Sequence, residues 1–169
     1  NRHALFDVVR GATKRMRSDG ADSEVADADT LTSFNSDGFS IGADVGEFGV
    51  NADDGSTFAA FCWSAGDSTV TNTTGSISAQ VRANTTAGFS IITYSGNGSS
   101  GSTVGHGLGV VPACIIIKCR SNADNWMVYH HAGNQRSNPE DFYLELNESA
   151  QRVDDSRMMN DTAPTSSVF

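Results

Sequence analysis

Residues 88–131 read GFSIITYSGNGSSGSTVGHGLGVVPACIIIKCRSNADNWMVYHH, and this stretch decides the fold. Three strand-like runs, residues 89–94, 113–119 and 126–129, are separated by glycine-rich or polar turns. The run Cys114-Ile-Ile-Ile-Lys-Cys is rich in β-branched side chains, which pack well on a pleated surface, and is too short for a stable helix. Ahead of it, Gly105-His-Gly-Leu-Gly-Val-Val-Pro supplies three glycines and a proline, so the chain can bend tightly before entering the strand. Behind it, Ser121-Asn-Ala-Asp-Asn reads as a hairpin loop leading into the Trp126-Met-Val-Tyr strand.

Outward from this stretch the same pattern continues. Residues 4–9 suit a short helix or a strand. The acidic loop 19–29, which has no helical apolar stripe, favours strands there and at 14–17 after a Gly11-Ala-Thr turn. Leu31-Thr-Ser-Phe and Gly38-Phe-Ser-Ile-Gly alternate with period two. Residues 57–63 (TFAAFCW) are apolar on both faces, as expected of an inner strand of a sandwich. Residues 64–87 are dominated by Gly, Ser, Thr, Asn and Asp, and read as a linker or crossing segment. Phe142-Tyr-Leu-Glu-Leu-Asn alternates cleanly, and Met158-Met159 is a small apolar island in a polar tail.

Composition sets further bounds. A net charge of −9 and a pI near 4.6 argue against a nucleic-acid groove, because a phosphate-binding surface needs clustered Lys and Arg. No apolar run is long enough to cross a bilayer as a helix. Cys114 and Cys119 are five apart on one run, so their side chains face opposite sides and cannot pair. With Cys62 they read as free thiols. The first residue is Asn and the last residues suit a strand, so the chain is expected to be cut from something longer.

The two ends echo each other. Asn125-Trp-Met-Val-Tyr-His-His-Ala-Gly-Asn resembles Arg2-His-Ala-Leu-Phe-Asp-Val-Val-Arg-Gly-Ala. Thr165-Ser-Ser-Val-Phe resembles Thr32-Ser-Phe-Asn-Ser-Asp-Gly-Phe. The offset of roughly 123–130 residues suits one domain. The expected organisation is therefore residues 1–66 as the C-terminal part of one β-sandwich repeat, 67–87 as a linker or crossing segment, and 88–169 as the N-terminal part of the next. A half-sandwich would expose a sheet edge and an apolar face, so missing strands are expected from further chain or a neighbouring subunit.

The motifs Arg10-Gly-Ala-Thr-Lys-Arg, Leu31-Thr-Ser-Phe-Asn-Ser-Asp-Gly-Phe, Phe61-Cys-Trp-Ser-Ala-Gly, Gly88-Phe-Ser-Ile-Ile-Thr-Tyr-Ser-Gly-Asn-Gly, Val104-Gly-His-Gly-Leu-Gly, Asn125-Trp-Met-Val-Tyr-His and Ala163-Pro-Thr-Ser-Ser-Val-Phe occur in that order. Together they resemble a family of marine, cyanophage-like phage virion proteins usually described as tail-fibre or structural proteins. The resemblance implies an all-β fold, an antiparallel jelly-roll β-sandwich similar to concanavalin A-like lectin domains, repeated along a virion appendage. It implies no catalytic residue set.

Candidate chemistry is sparse. His106 lies between two glycines and reads as a turn residue. His130 and His131 are adjacent, so strand alternation points their rings apart and disfavours a shared metal. The acidic groups Asp19/Asp22/Glu24, Asp27/Asp29, Asp53/Asp54 and Asp154/Asp155 leave room for Ca²⁺, but none has the spacing of a calcium loop, and solvated turn residues are the ordinary explanation. Asp141 and Glu145 share a strand face roughly 13 Å apart by strand rise, too far for a glycosidase pair, which needs about 5–10 Å. No enzyme is expected. Surface aromatics remain. Tyr94, Trp126 and Tyr143 can stack on sugars, with Asn97 on the adjoining loop 97–102 and a second loop at 132–138 as binding tips. Because Trp126 and Tyr129 are an odd number of steps apart, at least one of them is expected in the core.

Two functions follow from this reading. The first is a structural component of a phage tail fibre or capsid-surface fibre, exposed on the virion and partnered by other subunits, including its own copies. The second is a lectin-like module for a host-surface glycan.

Overall fold

The computed structural model describes residues 3–43, 49–52, 55–133, 138–156 and 158–169. Among them the chain is all-β, with antiparallel strand pairs throughout its sheets and a single short 3-10 turn, Pro139–Asp141. It divides into two compact units, each gathered from separate segments: Asn1–Cys62, Lys118–Trp126 and Leu146–Ser149 in unit 1, and Trp63–Ile117, Met127–Glu145 and Ala150–Phe169 in unit 2.

In unit 1, β1 (Ala4–Asp7), β2 (Gly11–Arg17) and β3 (Val25–Ala26) form one sheet, and β4 (Leu31–Phe34) pairs with β5 (Phe39–Ile41). The strand alternative at residues 4–9 is the one realised, and it stops at Asp7 for a local reason. The Asp7 carboxylate accepts the backbone N–H groups of Val9 (3.0 Å) and Arg10 (2.8 Å), which folds a turn in place of a ladder. Strand β2 already starts at Gly11, whose φ of +108° suits glycine alone. Met16, Leu31 and Trp126 are buried in this unit, together with Arg15 and Thr30.

Unit 2 holds two sheets. The first runs β6 (Val70–Asn72), β7 (Ala79–Asn84), β8 (Phe89–Tyr94). Strands β7 and β8 pair in unbroken register from Ala79↔Tyr94 to Asn84↔Phe89, with Gly88 at φ +66° in the turn. Residues 67–87, polar enough to suggest a linker, thus supply two strands. What composition concealed is that the few apolar residues, Ala79, Val81 and Ala83, alternate onto one face, where Ala79 and Val81 join Val104 in a buried cluster.

The second sheet has the order β12 (Val153–Asp154), β11 (Phe142–Glu145), β10 (Met127–His130), β9 (Cys114–Ile117). Its inward residues Ile115 and Tyr129 form a cluster with Met159, flanked by Ile117 and Met158, so the Met158-Met159 island is core. Phe169 packs against both clusters.

One expectation fails outright. Residues 57–63 are not an inner strand: none lies in a strand and all are exposed, Phe61 at 81% and Trp63 at 68%. An apolar run with no polar face has nothing to orient it, and apolar content alone does not create a pairing partner.

His106 is more than a turn residue. It is fully buried, its Nδ1 accepts the Leu108 N–H (3.2 Å), and its Nε2 therefore carries the proton it directs at the Thr165 carbonyl (3.2 Å). The glycines around it let the loop close. A Cβ on Gly105 would sit 2.3 Å from Asn72 Oδ1, and Gly107, at φ +73°, faces Val81 and Ala83. His106→Ala leaves the buried Leu108 N–H without a partner and takes the donor from the Thr165 carbonyl, so urea titration is expected to show a loss of about 2 kcal/mol.

Candidate functional site

Unit 1 concentrates the chain's charge chemistry. The Arg10 side chain is 2% exposed and binds Asp7 (2.5 Å), Glu24 (3.1 Å), and the carbonyls of Lys14 (2.9 Å) and Leu5 (3.2 Å). Glu24 is held from the other side by Arg120 through both carboxylate oxygens, at 2.8 and 2.9 Å. Arg15 binds Asp27 (2.7 Å), and Arg17 binds Asp19 and Asp22. Of the acidic groups that looked like solvated turns or room for Ca²⁺, Asp19, Asp22, Glu24 and Asp27 are thus arginine partners, and a carboxylate so engaged has fewer lone pairs for a cation. Among the described residues, no group of three or more His, Cys, Asp or Glu side chains is placed to hold a metal.

These contacts set the acid response. Burial pushes the Glu24 carboxyl up, but the hydrogen bonds and charges of Arg120 and Arg10 outweigh it and hold the folded-state value below the ordinary one. Burial likewise pushes Asp27 up, and the Arg15 guanidinium helps to bring it below normal. A depressed folded-state value stabilises the fold above the unfolded-state value, and that stability is lost as pH falls through the folded one. Thermal midpoints are therefore expected to be level near neutrality and to drop below about pH 4.5. Arg120→Gln, which lets Glu24 return toward normal, should lower the neutral midpoint and flatten the acid decline. An acid limb as steep as wild type would show that Glu24 does not drive it.

The same unit has an open cleft of about 540 Å³ lined by His3, Ser18, Asp19, Leu146, Asn147, Glu148 and Ser149. Asp19 accepts the His3 N–H (3.2 Å); burial raises its carboxyl, but the Arg17 guanidinium and the backbone N–H groups of Asp19 and His3 together hold it below the ordinary value. Asn147 is committed to structure: its Oδ1 accepts the Trp126 N–H (2.8 Å) and its amide donates to Asn125 (2.8 Å). What lines the cleft besides is an apolar Leu146 among two carboxylates and two serine hydroxyls, a surface able to accept hydrogen bonds from sugar hydroxyls but lacking a Trp, Tyr or Phe platform.

The four residues singled out for sugar stacking are not equivalent. Trp126 is buried in unit 1 at 4% exposure, its Nε1–H donating to the carbonyls of Arg17 (2.6 Å) and Gly20 (3.2 Å). Tyr143 is buried in unit 2 at 6% exposure. Neither has a ring face open to a sugar. Tyr129 is buried as well, so both members of the Trp126/Tyr129 pair are core. They avoid the alternation argument because Trp126 precedes β10 and belongs to the other unit. Tyr94 and Asn97 are exposed neighbours in unit 2. Tyr94 meets Phe169 edge-on (6.3 Å), while Asn97 Oδ1 is turned into its own loop by Ser99 N–H (3.0 Å) and the Ser102 hydroxyl (2.9 Å). The second loop, 132–138, lies largely outside the described residues, as do Asp53 and Asp54. His130 and His131 have ring centroids 5.0 Å apart, because His131 lies past the strand end where alternation lapses.

Sequence reasoning missed the Arg10–Glu24–Arg120 cluster. Its one local signal was three arginines on residues 10–17 followed by a dense acidic loop. Arg120, 96 residues from Glu24, left none.

No curated protein and no solved structure matches the chain. Residues 1–169 match a family described as a domain of unknown function, DUF7483, and the chain belongs to that family.

Proposed function

We propose that the chain is a structural unit of a phage virion appendage, a tail fibre or capsid-surface fibre, where it meets other virion subunits at the particle surface. On this reading its antiparallel sheets belong to jelly-roll, concanavalin A-like repeats. The observation that carries it is what the motif residues do. Arg10, Arg15, His106 and Trp126, on which the resemblance to phage virion proteins rests, are buried and bound to neighbouring backbone or carboxylates. Such residues hold a scaffold, whereas a catalytic motif turns its polar groups toward a cleft. Immunogold labelling of purified phage particles tests the reading: regular label on an appendage is expected. Protein recovered from the infected-cell lysate but never with particles would overturn it.

A lectin-like role is the second reading, favoured by the exposed ring of Tyr94 beside the loop of Asn97. Glycan-array binding that Tyr94→Ala abolishes would support it, and binding unaffected by that change would sink this placement.

A further inference from the structure

The chain's 20 acidic residues are unevenly spread: none lies between Asp67 and Asp124, and from residue 68 to residue 117 the only Lys or Arg is Arg82. This acid-free stretch builds β6, β7, β8 and β9 of unit 2. Strand β9 is the outer strand of its sheet. It pairs with β10 alone, and no further backbone hydrogen bond engages Cys114–Ile117 among the described residues.

An outer strand offers a row of free N–H and C=O groups, and proteins normally guard it with brevity, charge or proline. Two other outer strands are guarded in this way: β3 and β12 have two residues each and sit beside or include Asp. The outer strand β8 is covered at its ends, where Trp63 stacks on Phe89 (6.2 Å) and Phe169 meets Tyr94. Strand β9 is longer than β3 and β12 and carries neither charge nor proline itself, Pro112 and Lys118 lying just outside it. It reads Cys-Ile-Ile-Ile, Ile116 is 51% exposed, and Val110 and Val111 just ahead of it are exposed too. On the same outward face Ile116 stands opposite Val128, which stands opposite the exposed Leu144.

We infer that this edge is where the chain meets a second copy of itself, β9 pairing antiparallel with β9 about a two-fold axis. Charge selects the occupant. A chain of net charge −9 repels its own copies over most of its surface, and the acid-free edge is where two copies approach with least repulsion. The sequence suits the symmetry, because an Ile-Ile-Ile run meets the same side chains when read in either direction, and each Lys118 falls at an opposite end of the joint. The contact is uncharged, so raising salt should not weaken it. The inference stands apart from the appendage reading, since particles lacking the protein would leave it intact.

Sedimentation velocity on the 169-residue chain, from low to high micromolar, tests it. The expected result is a concentration-dependent dimer whose Kd rises about tenfold or more in Ile116→Lys, with unchanged circular dichroism and thermal midpoint because that side chain faces solvent. Leu144→Lys, two strands from the edge, should leave the dimer in place. A monomer throughout, a dimer indifferent to Ile116→Lys, or equal sensitivity to Leu144→Lys, which marks face-to-face packing, would each overturn the edge.

Discussion

Trp126→Ala is expected to cost about 3–5 kcal/mol, the range for truncating a buried indole, and so a large part of the roughly 5–15 kcal/mol that holds a domain folded. The indole fills unit 1, and its Nε1–H also caps the carbonyls of Arg17 and Gly20 where the chain leaves β2. Trp126→Phe separates the two roles: it keeps most of the apolar volume, drops the donor, and should cost about 1 kcal/mol. Urea titration followed by far-ultraviolet circular dichroism measures both, because that signal does not depend on the indole being replaced. An alanine variant within 1 kcal/mol of wild type would mean the unit does not depend on this side chain.

Arg10→Met should be comparably damaging, about 3–5 kcal/mol, for an electrostatic reason. The methionine preserves much of the stem but leaves Asp7 without its cation, while Glu24 keeps only Arg120. Because the carboxylates are 11% and 12% exposed, water cannot readily replace the guanidinium. The Lys14 and Leu5 carbonyls lose a donor as well. Pairing Arg10→Met with Glu24→Gln gives a double-mutant cycle. The double variant should be less destabilised than the sum of the two, because the second change removes a buried carboxylate that has lost one of its two guanidinium partners. Simple additivity would show that Arg10 and Glu24 do not act together.

Strand positions were legible where polar and apolar residues alternate. Leu31–Phe34, Phe39–Ile41 and Phe89–Tyr94 fall where the pattern puts them, and the loop at 121–125 does join two antiparallel neighbours. Alternation is legible because it records which face is buried. Where large apolar side chains do not alternate with polar ones the reading failed in both directions: residues 57–63 had too much apolar character and residues 70–84 too little. Size misled in the second case, since Ala79 and Ala83 pack closely without looking like core. Of the candidate site, Tyr94 and Asn97 were recognisable as exposed positions beside a glycine-rich loop. The burial of Trp126 and Tyr143 was not, because aromatic rings serve cores and binding surfaces equally well and only their neighbours decide. Those neighbours, such as Arg17 for Trp126, lie about a hundred positions away.

The segmented make-up of unit 1 has a consequence in time. Arg120 and Trp126 supply the clamp on Glu24 and the cover over Arg17, and Leu146–Ser149 completes the set. During synthesis, at about 5–20 residues per second, the first strands leave the ribosome many seconds before those partners exist. The early sheet must wait with Trp126's place empty and Glu24 held by Arg10 alone. The strands β1 and β2 are therefore made about a hundred residues ahead of the segments that complete their unit.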